Sequence, residues 1–126
     1  MQASKNAYDV VIVGGAVAGS STAYFLATNP DFTGSVLVIE KDWTYQRSAT
    51  ALSSSSIRHQ FSNAINVSVS QFGTEFIRNF RENVAVDDDT PEIGFHENGY
   101  LFLAEDGRGA DVLRRNHETQ VACGAE

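Results

Sequence analysis

A single cysteine in 126 residues excludes an intramolecular disulfide, and with three dispersed histidines it offers no zinc-ligand spacing. Two prolines beside 42% hydrophobic residues exclude a low-complexity disordered chain. Basic residues are in deficit: 9 Lys and Arg against 16 Asp and Glu leave a formal charge of −7. No basic stripe is offered to a phosphate backbone, which excludes a generic nucleic-acid binder. The longest apolar runs fall far below the roughly 20 residues of a transmembrane segment. Met1–Ala7 holds one Lys and no apolar run of its own, and the first apolar run leads into glycines rather than a cleavage site, so no secretory signal is expected. An Arg-rich transit peptide is not expected either. What is left is a soluble, at least partly globular chain of one domain's length, with a reducing, cytoplasmic compartment as the expectation.

The organisation is read from short periodic runs. Tyr8–Val13 (YDVVIV) is continuous and rich in β-branched residues, which predicts a strand buried on both faces, as in a parallel sheet. Ala16–Ala27 is a small-residue helix, and Asn29-Pro30-Asp31 stops it. Ser35–Glu40 (SVLVIE) is a second buried strand. Strand, helix and strand make a βαβ unit. Trp43–Ser62 follows as a Ser/Thr-rich connection. Asn63–Phe80 reads as a helix with Asn63 as N-cap. Its Ile65, Val69, Phe72, Phe76 and Phe80 recur at helical spacing, which predicts one core-facing stripe. Asp87–Asp89 and Pro91 form an acidic break and a candidate domain boundary. Ile93–Leu103 predicts a hairpin with Asn98-Gly99 at the turn, and Gly109–Cys123 a last helix capped by Gly124.

The chemical signal lies between the first strand and the first helix. Gly14, Gly15, Ala16, Val17, Ala18 and Gly19 fit G-x-G-x-x-G with Ala16 at the middle glycine position. Gly14 allows the tight turn out of the strand, and Gly19 allows the helix to pack on the sheet. The helix N-terminus then points N–H groups and its positive dipole end at a pyrophosphate. Ala16 adds one methyl at the place of closest backbone approach. Glu40 closes the second strand, 21 residues after Gly19, where an acidic side chain accepts hydrogen bonds from a ribose. The bland alternative is a tight strand-to-helix turn with an ordinary surface Glu.

YDVVIVGGAVAGSSTAYFLA, VLVIEKD, SIRHQFS and ENGYLFLA together resemble the amino-terminal part of the D-amino-acid oxidase superfamily of FAD-dependent oxidoreductases. The resemblance runs from about Tyr8 to Ala125 and is nearest the glycine, sarcosine and dimethylglycine oxidase branch. It implies an α/β fold: an incomplete Rossmann-like βαβ FAD-binding domain over residues 1–86, leading into the start of an α+β substrate domain over residues 87–126. It implies oxidation of the C–N bond of an amino acid or N-methyl amine by hydride transfer to flavin, with oxygen or another acceptor taking the electrons. The glycine loop would wrap the FAD pyrophosphate. Glu40 would hold the ribose, with Lys41 and Asp42 beside the adenine end. Ser48, Thr50, Ser53, Ser54, Ser55 and Ser56 match the stretch along the ribityl chain. Related sequences often carry glycine near Ser54 and Ser55, so serines there imply extra hydroxyl donors or a different backbone path. Arg58 matches a position on the substrate side, where a guanidinium can clamp a carboxylate. His59 is a structural neighbour, a weaker catalytic candidate, or a covalent flavin link of the kind some relatives use.

Each assignment has a plainer reading. The serine run alone reads as a flexible linker. Trp43 and Tyr45 cover either the adenine side or ordinary packing, and His96, His117 and Cys123 carry no functional role. Two other functions stay open on the residues alone. One is an NAD(P)-binding dehydrogenase built on the same βαβ unit. The other is a non-catalytic, truncated nucleotide-binding fragment. On the resemblance, these 126 residues lack the remainder of both domains and are expected to be inactive by themselves.

Overall fold

The computed structural model describes residues 6–125. The expectation of no leader falls largely on residues 1–5, outside the described ones. The chain divides after Ser56 into two compact units.

In the first unit, β1 (Val10–Val13) and β2 (Val36–Ile39) pair in parallel, from Val10 opposite Val36 to Val13 opposite Ile39. The register is pinned just before both strands. Ser35 donates to Asp9 Oδ2 through its N–H at 2.7 Å and its hydroxyl at 2.8 Å, and the Val10 N–H donates to the Ser35 carbonyl at 3.1 Å. A one-residue slip would break this clamp and turn every strand side chain to the opposite face. α1 (Val17–Thr28) crosses between the strands. It lies on the Ile12 side of the sheet, since a Cβ on Gly19 would stand 3.1 Å from Ile12 Cγ2. The helix ends at Asn29, whose N–H reaches the Leu26 carbonyl and whose side-chain oxygen accepts from the Asp31 N–H at 3.0 Å. The expected Asn-Pro-Asp stop therefore holds.

β1 is not covered on both faces. Val11 and Val13 alternate with Ile12 and point away from α1, and they are 50% and 85% exposed. The apolar run marks the strand, but the expected burial of both faces is not met among the described residues, where α1 packs on the Ile12 side.

The second unit is built on α2 (Ala64–Arg78) and α4 (Arg108–Ala122), with the short α3 (Phe80–Val84) between them in sequence. Asn63 caps α2 as expected, its side chain accepting from the Ile65 N–H at 3.0 Å. The helix breaks at Asn79 (φ −99°, ψ 23°), where the side chain donates to the Glu75 carbonyl and carboxylate. Phe80 thus opens α3 instead of closing the stripe. The expected core stripe is only partly inside: Ile65, Val69 and Phe72 are exposed, while Val67 and Thr74 are buried. The buried face is the one turned to α4 and His59, and nothing in the described chain packs over Ile65 and Val69. Amphipathic spacing identifies a face fit for burial, and a neighbour must still be there to bury it.

α4 ends in a Schellman motif around Gly124 (φ +71°): the Gly124 N–H donates to Val121 at 2.9 Å and the Ala125 N–H to Gln120 at 3.0 Å. The acidic break is a tight turn in which Val86 and Asp89 exchange both backbone hydrogen bonds, with Asp87 at φ +53°. The expected hairpin over Ile93–Leu103 does not form. Gly99 takes a positive φ of 73°, but neither a turn nor a ladder forms across the segment, and Leu101 and Leu103 are exposed. A lone two-stranded hairpin is marginal in water, and among the described residues no third strand pairs with this segment. Instead Arg78–Glu97 and Arg81–Glu92 ion pairs and a Gln60 side-chain bond to the Tyr100 carbonyl tie the segment down.

Candidate functional site

Gly14 leaves β1 at φ +101°, in the region open to glycine, and its N–H still donates to the Ile39 carbonyl at 2.7 Å. Gly19 faces back onto that turn. A Cβ there would fall inside the Gly14 carbonyl group, 2.9 Å from its carbon, so any side chain would force helix and strand apart. Between them Gly15 is buried, and its N–H donates to Glu40 Oε2 at 2.7 Å. The other Glu40 oxygen accepts from the Asp42 N–H at 2.8 Å. Backbone donors of Gly15, then Asp42, hold the Glu40 carboxyl below its ordinary pKa. Asp42 is lowered in turn by the Thr44 hydroxyl and N–H, at 2.6 and 3.1 Å.

These bonds decide which donors remain for an anion. Gly14 and Gly15 spend their N–H groups inside the protein, on Ile39 and Glu40. α1 begins after Ala16 with no side-chain cap and no acidic residue in its first turn, and its first internal bond is from the Ser20 N–H to the Ala16 carbonyl at 2.8 Å. The open N–H groups are therefore those at the start of α1, around Val17, Ala18 and Gly19. Within the run from Gly14 to Gly19 expected to wrap a phosphate, Gly14 and Gly15 shape the turn, and the N–H groups left open are those at the start of α1.

A cleft of about 420 Å³ opens in front of that helix end. Gly15, Ala16 and Val17 form one wall, and Ser48, Thr50 and Ser55 another. The structure thus brings the glycine loop and part of the Ser/Thr stretch together. Ser53, Ser54, Ser56 and Lys41 do not line the cleft. Ser53 donates to the Thr50 carbonyl and Ser56 to the Ser54 carbonyl, at 2.8 and 3.2 Å, so these hydroxyls brace their own turn. Ser55 stands at φ +48°, a path that glycine takes without strain. Tyr45, Ser20 and Ala51 complete the lining. Ser20 was not singled out from the sequence. Its hydroxyl donates to the Gly15 carbonyl, and its one signal is a small hydroxyl side chain directly after the third glycine.

Arg58 and His59 belong to the second unit. The Arg58 guanidinium carbon stands 5.1 Å from the Phe61 ring centre and 5.4 Å from that of Phe102. Cation–π contact leaves the in-plane N–H donors of a guanidinium available. Among the described residues no carboxylate pairs with it. His59 Nε2 lies 2.9 Å from the buried Thr74 hydroxyl, a packing contact onto α2.

A family model described as FAD dependent oxidoreductase matches residues 9–126. The chain belongs to the FAD-dependent oxidoreductase family. The chain is also similar to FAD-dependent oxidoreductase domain-containing protein 1 from Xenopus laevis, 44% identical over 94% of this chain and 24% of that protein. The same-named protein of Bos taurus is 47% identical over 94% of the chain and 25% of its own length, and the Drosophila melanogaster homologue 37% over 93% and 22%. The chain therefore spans about a quarter of the length of these relatives. No solved structure matches.

The residues of this family member fit the cofactor in the family's name. Its helix end is uncapped and free of acidic side chains, its turn leaves no room for a Cβ at Gly19, and a carboxylate stands at the end of β2. No helix among the described residues is long and apolar enough to cross a membrane.

Proposed function

We propose that the chain forms the pyrophosphate and ribose end of an FAD site in an enzyme that oxidises the C–N bond of an amino acid or N-methyl amine. The observation that carries the FAD reading is the joint between loop and acid. Gly15 is tied to Glu40, Gly19 is pressed on Gly14, and one cleft faces the open end of α1. Bound FAD supplies the electron-accepting chemistry, and oxygen or a separate acceptor takes the electrons onward.

The chain's own part is binding and orientation. The N–H groups at the start of α1 hold the pyrophosphate, neutralising it with the helix dipole instead of a cation. Glu40 keeps lone pairs on both oxygens for the ribose hydroxyls, and its low pKa keeps it an acceptor. Lys41 and Asp42 stand beside it toward the adenine end. Ser48, Thr50 and Ser55 offer hydroxyl groups along the flavin's ribityl side, with Ser53, Ser54 and Ser56 shaping that turn. Arg58, stacked on Phe61 and Phe102, is assigned the substrate carboxylate, and His59 a structural role beside it. The glycine and sarcosine oxidase branch is supported by SIRHQFS and ENGYLFLA. In this reading residues 1–86 belong to the FAD-binding domain and 87–126 begin the substrate domain.

The test is a purified full-length protein, its flavin content and its turnover of glycine, sarcosine, dimethylglycine, proline and D-amino acids. Near-stoichiometric flavin and reduction by one of these amines is the expected result. A protein that takes up NAD but no FAD overturns the cofactor reading, and flavin reduced by none of these amines overturns the substrate reading.

A further inference from the structure

Tyr45 stands out from its surroundings in the cleft. It is one of three non-glycine residues with positive φ among the described ones, at +56°. That conformation costs a bulky side chain of order 1 kcal/mol and persists where neighbours hold it. Here the neighbours are explicit. Its N–H donates to the Asp42 carbonyl at 3.0 Å, its carbonyl accepts from Ser48 at 2.9 Å, and its ring meets Trp43 edge-on at 6.4 Å. The result is a phenol laid over the glycine turn, its hydroxyl 3.1 Å from where a Cβ on Gly15 would be.

The chemistry of the cleft gives that hydroxyl a purpose. Among the described residues no lysine or arginine lines the cleft, so what these residues offer a diphosphate there is neutral donors. Gly14 and Gly15 have spent their N–H groups, and the Ser20 hydroxyl is spent on the Gly15 carbonyl. The open N–H groups at the start of α1 are few against the oxygens of a pyrophosphate, which leaves acceptor positions for side-chain donors of the cleft. Tyr45 lines the cleft with Ser48 and Thr50, and its hydroxyl, set against Gly15, has no hydrogen-bond partner among the described residues.

We propose that Tyr45 is a phosphate-binding donor of this cleft, held over Gly15 by its left-handed backbone, and neither adenine cover nor packing. The inference rests on the FAD reading above. A neutral hydroxyl given to a phosphate oxygen is a charge-assisted hydrogen bond, and its loss lowers affinity about tenfold.

The test uses full-length protein stripped of flavin, with calorimetric titration of FAD, ADP and adenosine into wild type, Tyr45→Phe and Tyr45→Leu. Tyr45→Phe should weaken FAD and ADP about tenfold and leave adenosine unchanged, with an unaltered melting temperature. Tyr45→Leu should match Tyr45→Phe for ADP. If Tyr45→Phe binds ADP as wild type does while Tyr45→Leu weakens ADP and adenosine together, the ring matters and the hydroxyl does not, which overturns the proposal. Wild type binding neither FAD nor ADP overturns the FAD reading itself, and the proposal with it.

Discussion

Gly19 and Glu40 decide opposite sides of the same turn. Gly19→Ala places a methyl inside the Gly14 carbonyl, and the obstacle is backbone that cannot swing aside. Forcing a methyl into a packed contact costs about 1–3 kcal/mol, and the displaced helix end should lose most of its FAD affinity. Urea unfolding with a parallel flavin titration checks both, and a variant with wild-type stability and binding would contradict the described packing. Glu40 makes its contribution through charge. Its carboxyl is held below the ordinary value by the Gly15 and Asp42 N–H groups, so the folded state favours the ionised form. That stabilisation is present above the ordinary glutamate pKa of about 4.3 and is lost as pH falls through the lower folded value. The melting-temperature gap between wild type and Glu40→Gln should therefore be constant near neutrality and close at acid pH. A gap independent of pH down to strong acid would show that the charge on Glu40 is not what binds the turn.

The helices carry their instructions locally. Asn63→Ala removes the acceptor for the Ile65 N–H and should cost about 1 kcal/mol by urea unfolding, since one orphan donor of α2 goes unsatisfied. Gly124→Ala should cost a similar amount, about 1 kcal/mol, by straining the left-handed end of α4. A stability change within about 0.3 kcal/mol at either site would remove that cap from the account. Such signals explain what was legible in the sequence. β1, α1 and β2 follow from β-branched runs, glycines and an Asn-Pro stop, all within a few residues of where they act. The glycine turn between β1 and α1 and the acid at the end of β2 were legible for the same reason. Four features were not. The α2 stripe names an apolar face, but Val67 and Thr74 were chosen for burial by the position of α4 and His59. The 93–103 hairpin is absent although Asn98-Gly99 is a good turn sequence, because pairing needs cover that no local pattern reports. Tyr45 carries no sequence mark of its left-handed backbone, and the spending of the Gly15 N–H on Glu40 exists only once the two strands are in register.

The apolar surface left uncovered is itself informative. Parallel sheets are stable when both faces are packed, and here α1 covers the Ile12 side while Val11, Val13 and Ile39 stay exposed. The relatives are about four times as long as this chain, which spans 24% of the Xenopus protein and 25% of the bovine one. In the full-length protein the open face of β1 should therefore be interior, whatever its exposure among these residues. Val13, 85% exposed here, is the sensitive probe. A surface Val→Asp change is ordinarily worth under about 0.5 kcal/mol, whereas a carboxylate buried without a partner in a sheet interior costs about 3 kcal/mol or more. Full-length Val13→Asp should fall in the second class by urea unfolding and lose flavin in proportion, because β1 leads directly into Gly14. Val11→Asp, on the same face, should behave alike. Thr33→Asp, an exposed position outside the strands, should fall in the first class. If Val13→Asp is as mild as Thr33→Asp in the full-length protein, the β1 face is a true surface, and the fold is a one-sided sheet rather than part of a doubly covered one.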